Sequence, residues 1–316
     1  LVGSEMCIRD RRPAGRTPGP RRDPGTQPLM FRQLRIVLEM IKVEHTLFAL
    51  PFALMGMMLA AEGWPQWRVV GWILVAMVGA RSAAMGFNRL VDRAIDAANP
   101  RTASRALPAG LVTPRFVALF VVASVALLML ASWRLNPLCL VFSPIALVVL
   151  LGYSYTKRFT AAAHLVLGLA LGGAPLGAWI AVRGDLAPTP FVLGGAVLLW
   201  VAGFDVLYAL QDLEFDRRSG LHSIPARLGV VGSLLVSGAL HVATLALLAW
   251  LPFLYPPGLG VGYWVGVGGC ALLLAYQHAI VRPGDLSRLN AAFFTANGLL
   301  SIGLFVATAV DLLGRG

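Results

Sequence analysis

Between residues 88 and 96 the chain reads NRLVDRAID, which sets Asn88, Asp92 and Asp96 four residues apart at the end of a long apolar run. Residues four apart share one face of a helix, so the spacing predicts a polar stripe at a membrane edge, suited to a divalent cation. A second acidic stretch, DVLYALQDLEFD over residues 205–216, carries Asp205, Asp212 and Asp216. Two pairs of carboxylates, Asp92 with Asp96 and Asp212 with Asp216, are the hard oxygen donors that Mg2+ takes, usually alongside waters and phosphate oxygens. Basic residues crowd the same stretches, with Arg101 and Arg105 after the first and Lys157 and Arg158 at a later helix end. Such cations repel a metal ion unless an anion lies between. A diphosphate meets that condition, because its oxygens bridge the metal on one side and accept charge-assisted hydrogen bonds from Arg and Lys on the other.

The elements that must position these groups are membrane helices. Of 316 residues, 58% are apolar and only 13% charged, and the mean hydropathy is +0.75. Apolar runs of about twenty residues recur, each long enough to cross a bilayer. They predict an all-α membrane protein of about nine spans, near residues 36–61, 67–91, 113–131, 137–155, 161–182, 191–210, 230–251, 258–280 and 291–312. Arg81 falls well inside the second run, seven residues before Asn88 and on nearly the same helix face. A charge there costs about 3 kcal/mol unless it faces a polar cavity, so Arg81 is expected to point into the cavity that the acidic stripe lines. The small residues of GGAPLGAW in the fifth run predict close helix packing.

The formal charge of +11 does not indicate a nucleic-acid binder, since the basic residues sit in the N-terminal segment and in short loops between spans. Loop charge of this kind reports topology and anionic lipid headgroups. With the N-terminus cytoplasmic, both acidic stretches, Lys157, Arg158, Arg282 and Arg288 face the cytoplasm, and the opposite loops hold only Arg68, Arg134 and Arg183, with Arg315 at the C-terminus. The expected location is a bacterial cytoplasmic (inner) membrane. The two acidic stretches end helices at equivalent places in successive four-helix blocks, which predicts an internal pseudo-repeat.

Residues 1–29 are rich in Arg, Pro and Gly, and are expected to be disordered or, in the opening LVGSEMCIRDR, artefactual, with Met30 as a start. The nine-helix domain then spans residues 30–316. Cys7, Cys139 and Cys270 have no metal-ligand spacing, and neither do His164, His222, His241 and His278. His45, with Lys42 and Glu44 before the first apolar stretch, reads as an interfacial hydrogen-bonding residue.

NRLVDRAID followed by PRTASRALPAG, the helix end YSYTKRFT, and DLEFDRRSGLHSIPARLG, in this order, resemble the UbiA superfamily of intramembrane aromatic prenyltransferases. The resemblance implies the all-helical UbiA fold with a central cavity, and a first motif of Asn88, Asp92 and Asp96 with a second of Asp212 and Asp216, binding Mg2+ and an allylic diphosphate. It also implies that Lys157 and Arg158 contact the diphosphate, and that Arg81 helps bind the acceptor. Arg101, Arg105 and Tyr153 count with the substrate-binding residues, and Asp205 is expected either to orient the acceptor or take its proton, or equally to make a structural hydrogen bond. Members acting on 4-hydroxybenzoate commonly read NDYADRKFD, whereas this chain has Arg89 and Leu90 after the Asn. With that departure, the first helix EHTLFALPFAL and FDVLYALQDLEFD resemble a branch often labelled 4-hydroxybenzoate polyprenyltransferase, with members similar to the futalosine-route menaquinone enzymes, which prenylate a dihydroxynaphthoate.

The expected activity is Mg2+-dependent transfer of a polyprenyl group from polyprenyl diphosphate to an aromatic acid, 4-hydroxybenzoate or a dihydroxynaphthoate, in respiratory quinone synthesis. The partners are the two substrates and the lipid bilayer. A secondary transporter is the rival from another class, but it would hold its charged groups near the midplane rather than at one edge.

Overall fold

A computed structural model describes residues 29–40, 46–286, 288–289 and 292–314. Residues 1–28, with the expectation of a disordered or artefactual start, lie outside the described residues, as do Lys42, Glu44, His45 and Arg315. The fold is all-helical: α1 (Leu29–Met40), α2 (Thr46–Ala61), α3 (Trp67–Val91), α4 (Arg93–Ala98), α5 (Pro114–Leu135), α6 (Pro137–Thr156), α7 (Ala163–Arg183), α8 (Pro188–Tyr208), α9 (Leu213–Arg218), α10 (Ile224–Leu254), α11 (Val261–Ile280) and α12 (Asn297–Leu313). A 3-10 turn, Ala209–Asp212, joins α8 to α9, and a π-helical turn, Ala292–Ala296, precedes α12.

Local chemistry places the helix starts. Proline occupies the first turn of α5, α6, α8 and α10, where its missing N–H costs nothing. Thr113, Asn136 and Ser223 cap three of these helices, their side-chain oxygens accepting from the backbone N–H of Phe116, Cys139 and Ala226. α7 stops at Gly184, whose φ of 68° lies in the left-handed region.

Seven of the described helices are long and apolar enough to cross a membrane, which makes the chain a multi-pass integral membrane protein. The remaining two predicted spans correspond to α2 and α11. α2 is shorter, at 16 residues, and α11 is diluted by glycines and by Gln277 and His278 near its end. The first predicted span also differs at its start. Its described residues divide between α1 and α2, and α1 is amphipathic: Val37 is fully buried against Leu107, Val112 and Val117, and Arg35 pairs with Glu39 at 2.9 Å on the exposed side. A helix carrying that ion pair belongs at an interface, not in hydrocarbon.

The core runs between α2 and α8, where Trp200 meets Phe48 and Phe204 edge to face and Phe52 at a tilt. Large apolar side chains such as Leu119, Val148 and Leu272 face outward, as a lipid-bathed bundle requires. At one end of the bundle, Arg183 lies 3.7 Å from Glu62, and Arg134 stacks over Trp72 and Trp133. The opposite end collects the loops with both acidic stretches.

The small-residue prediction for GGAPLGAW holds at one glycine. A Cβ on Gly172 would lie 2.5 Å from the Gly194 carbonyl oxygen of α8, while Gly173 and Gly177 have no heavy atom within 4 Å of theirs. One turn earlier, a Cβ on Gly168 would meet the Leu198 carbonyl oxygen at 2.3 Å. Backbone-to-backbone contact of this kind is how membrane helices gain dispersion attraction without a hydrophobic driving force. Gly172→Val should therefore lower the unfolding temperature in detergent, destabilising the α7–α8 pair by about 1–3 kcal/mol, whereas Gly173→Ala on the same helix should leave it unchanged or slightly raised.

Candidate active site

α3 ends at Asp92, and the 3-10 turn that follows α8 ends at Asp212; the two aspartates break the helical path in the same way. Asp92 has φ −88° and ψ 4°, and Asp212 has φ −103° and ψ 6°. Each break is followed by a helix of 6 residues, α4 after Asp92 and α9 after Asp212. The sequence pattern is thus matched by a repeated local structure, a span ending in an aspartate with ψ near zero and a short helix turned onto the bundle end. The breaks also modify the expected stripe. Asn88 Nδ2 donates to Asp92 Oδ2 at 3.0 Å, as four-residue spacing predicts, but Asp96, beyond the break, faces different partners.

Both first-motif carboxylates are buried, Asp92 at 2% and Asp96 at 4% exposure. Ionised groups so placed need counter-charge. Lys157 Nζ donates to Asp92 Oδ2 at 2.6 Å, and Arg158 Nη2 lies 3.6 Å from Asp92 Oδ1 while donating to the Val91 carbonyl oxygen at 2.6 Å. Arg105 Nη1 donates to Asp96 Oδ1 at 2.7 Å, and Arg89 Nη1 stands 3.7 Å from Asp96 Oδ2. In the second motif, Arg101 holds both oxygens of Asp212, with Nε at 2.8 Å from Oδ1 and Nη2 on Oδ2. Burial alone lowers the Arg101 pKa, but the hydrogen bond and charge of Asp212 outweigh it and raise the pKa, which keeps the guanidinium charged. Asp216 Oδ2 accepts from Ser223 Oγ at 2.8 Å. The two motifs share their cations: Arg101 is within electrostatic reach of Asp96 as well as Asp212, Arg105 acts on Asp212, and Lys157 on Asp216.

The other predicted residues lie on the same helices. Arg81 is half-buried on α3, two turns before Asn88, and interacts electrostatically with Tyr153 of α6. Tyr153 in turn is within the fields of Arg89, Asp92 and Asp205. Asp205, in the last turn of α8, has Oδ2 2.7 Å from His164 Nδ1 of α7. The structure thus brings Arg81, Asn88, Asp92, Asp96, Arg101, Arg105, Tyr153, Lys157, Arg158, Asp205, Asp212 and Asp216 to one end of the bundle.

Two buried carboxylate oxygens, Asp92 Oδ1 and Asp96 Oδ2, have no hydrogen-bond partner among the described residues. Unsatisfied hard oxygens beside partly exposed bases suit a divalent cation that arrives with its own anion. No three His, Cys, Asp or Glu side chains among the described residues converge tightly enough to chelate an ion alone, so the donor set fits a metal whose sphere is completed by water and phosphate.

Residues 49–299 match the model of the UbiA prenyltransferase family. The chain belongs to that family. It is therefore a transmembrane prenyltransferase of the UbiA family, as the motif resemblance implied. The chain is 32% identical over 266 residues to the 4-hydroxybenzoate octaprenyltransferase of Vibrio vulnificus (strain CMCP6), covering 83% of this chain and 92% of that one. It is also 32% identical over 289 residues to the 4-hydroxybenzoate octaprenyltransferase of Cupriavidus necator (strain H16), covering 89% and 98%. Among solved structures, the apo UbiA homolog from Aeropyrum pernix K1 is 33% identical and superposes with a TM-score of 0.74, over 87% of this chain and 98% of that chain. A UbiA homolog from Archaeoglobus fulgidus, solved bound to DMAPP and Mg2+, shares the fold at 18% identity, with a TM-score of 0.68 over 91% and 99% of the two chains.

Several residues of this UbiA-family site escape a reading by charge and spacing. Arg89, noted only as a departure, is buried against Asp96, and its Nε has no hydrogen-bond partner among the described residues. Asn99 bridges the loop to the second motif: its Nδ2 donates to Asp212 Oδ1 at 2.9 Å and its Oδ1 accepts from the Arg101 N–H at 2.9 Å. The Asn-Pro pair marks a turn in the sequence but cannot announce a contact 113 residues away. Thr102, whose hydroxyl donates to the Asp96 carbonyl oxygen at 2.9 Å, stiffens the same loop. Asn99→Ala should release Arg101 and raise amide hydrogen exchange across residues 99–112, with little change elsewhere in α5 or α6.

Proposed function

We propose that this chain transfers a polyprenyl group from a polyprenyl diphosphate to a ring carbon of an aromatic acid, 4-hydroxybenzoate or a close hydroxy-aryl acid, on the cytoplasmic side of a bacterial inner membrane in respiratory quinone synthesis. The observation that carries the reading is the arrangement of two buried acidic motifs and shared basic groups at one membrane edge, with Arg81 set deeper on α3. The naming of the curated relatives as 4-hydroxybenzoate octaprenyltransferases supports the choice of acceptor.

Asp92, Asp96, Asp212 and Asp216 are the residues that would hold Mg2+, with Asn88 as a further oxygen donor or as the group that orients Asp92. When bound, the ion supplies charge neutralisation for the departing diphosphate. Lys157, Arg158, Arg101 and Arg105 donate charge-assisted hydrogen bonds to the diphosphate as its bond to the allylic carbon breaks and negative charge gathers on it. Arg81 pairs with the acceptor carboxylate, and Tyr153 lies beside it against the ring. The ring carbon ortho to the acceptor hydroxyl forms the new bond to the allylic carbon. Its C–H electron pair then returns to the ring, and the proton passes to Asp205. The isoprenoid tail lies along apolar side chains in a cleft open to lipid.

A second acceptor has its own support. Arg89 and Leu90 replace the residues commonly found after the motif asparagine in enzymes acting on 4-hydroxybenzoate, and Arg89 is buried at Asp96. The departure favours a dihydroxynaphthoate.

Membranes containing the protein, supplied with Mg2+, a polyprenyl diphosphate and each acceptor in turn, should yield one prenylated product by mass. No product from either acceptor would rule out both as substrates. Asp92→Asn and Asp212→Asn should each reduce turnover by about a hundred- to a thousand-fold or more in protein that remains folded in detergent. Near-normal activity in either variant rules out the metal assignment. Arg81→Leu should raise KM for the acceptor and leave KM for the diphosphate close to that of the unaltered enzyme, and an unchanged acceptor KM removes Arg81 from acceptor binding.

A further inference from the structure

We propose that His164 is a positioning residue for Asp205, fixing that carboxylate through a neutral imidazole protonated on Nδ1. This role rests on the prenyl-transfer reading, in which Asp205 receives the ring proton.

His164 opens the first turn of α7 and is buried at 5% exposure. Its Nδ1 lies 2.7 Å from Asp205 Oδ2, and its Nε2 faces the backbone N–H of Ile224 at 3.4 Å. The amide can only donate, so Nε2 must present its lone pair. The single ring proton then sits on Nδ1 and is donated to Asp205. An imidazolium would oppose two N–H groups at Ile224, so the backbone itself selects the neutral tautomer. Asp205 is left with one oxygen engaged by His164, while Oδ1 takes no side-chain hydrogen bond among the described residues.

The ring also registers three elements that the sequence keeps apart. Ile224 follows Ser223, the cap of α10, whose hydroxyl donates to Asp216 Oδ2 at 2.8 Å and accepts from Ala226 N at 3.2 Å. His222, one residue earlier, donates its backbone N–H to the Lys157 carbonyl oxygen at 2.8 Å. A single chain corner therefore touches the loop that carries Lys157, the second acidic motif, and Asp205 by way of His164. The imidazole sets where the Asp205 carboxylate stands relative to Asp216, which is the geometry a proton acceptor needs beside a reacting ring.

Two measurements test the proposal. In detergent-solubilised full-length protein labelled with 15N-histidine, the His164 signals, assigned by their loss in His164→Asn, should show a protonated Nδ1 and an unprotonated Nε2. Asp205→Asn should move the Nδ1 signal. A protonated Nε2, or no response to Asp205→Asn, overturns the proposal whatever the enzyme's substrate. In steady-state prenyl transfer, His164→Ala should lower kcat about ten- to a hundred-fold with KM for the diphosphate and the unfolding temperature unchanged. His164→Asn, whose side-chain nitrogen can take the place of Nδ1, should restore most of that loss, and His164→Ala should add little on top of Asp205→Asn. Should the alanine variant unfold, the asparagine variant and the nitrogen spectra decide. Additive losses in the double variant, or a His164→Asn enzyme below about a tenth of the unaltered kcat, would mean a purely structural histidine. Absence of product from the unaltered protein defeats the prenyl-transfer reading instead, and the nitrogen spectra still report on the tautomer.

Discussion

Charge balance at the edge of the hydrocarbon governs this protein. Carboxylates as buried as Asp92 and Asp96 would be strongly destabilising alone, and the basic groups that reach them come from three stretches of the chain. Lys157 and Arg158 arrive from the α6–α7 loop, Arg105 from the loop after α4, and Arg89 from α3 itself. Folding must bring these loops together to supply the buried carboxylates with counter-charge, so the electrostatics of the acidic motifs also fasten the bundle end. Helices elsewhere hold by apolar contact and close backbone approach, with no comparable demand for charge partners.

The same constraint explains the geometry of the breaks. A continuous helix through Asn88, Asp92 and Asp96 would carry the third group straight on from the membrane surface. With Asp92 near ψ 0°, the short α4 turns aside, and Asp96 is brought under Arg105 and Arg89. Asp212 repeats the device through a 3-10 turn before α9. The charged rim is then joined to the apolar interior by Tyr208, whose ring lies 5.8 Å below the Arg101 guanidinium and 4.1 Å from the Phe293 ring. Phe293 packs edge to face on Phe48 and Phe204. Within one side chain the environment passes from ion pairs to aromatic contacts, a setting in which a substrate with a charged head and an apolar tail finds both halves of its surroundings.

The sequence by itself determined the all-helical membrane class, the approximate spans and, through its two acidic motifs, the prenyltransferase family. These are legible because hydropathy over about twenty residues is a local property, and because two acidic motifs beside basic loops admit few alternative chemistries. α5 and α6 start where hydropathy placed them, at Pro114 and Pro137, whereas α8 and α10 start earlier than expected, at Pro188 and Ile224.

Only the tertiary structure decided which base meets which acid, that Asn99 braces Asp212, that Arg89 is buried at Asp96, and that His164 holds Asp205. It also separated α1 from the first span, since Val37 needs Leu107 and Val117 to be buried. These partners stand from 7 residues to more than 100 apart in the chain. Local spacing carries no information about which loops meet at the bundle end. That is settled by helix packing, which at Gly168 and Gly172 turns on contacts of one backbone with another.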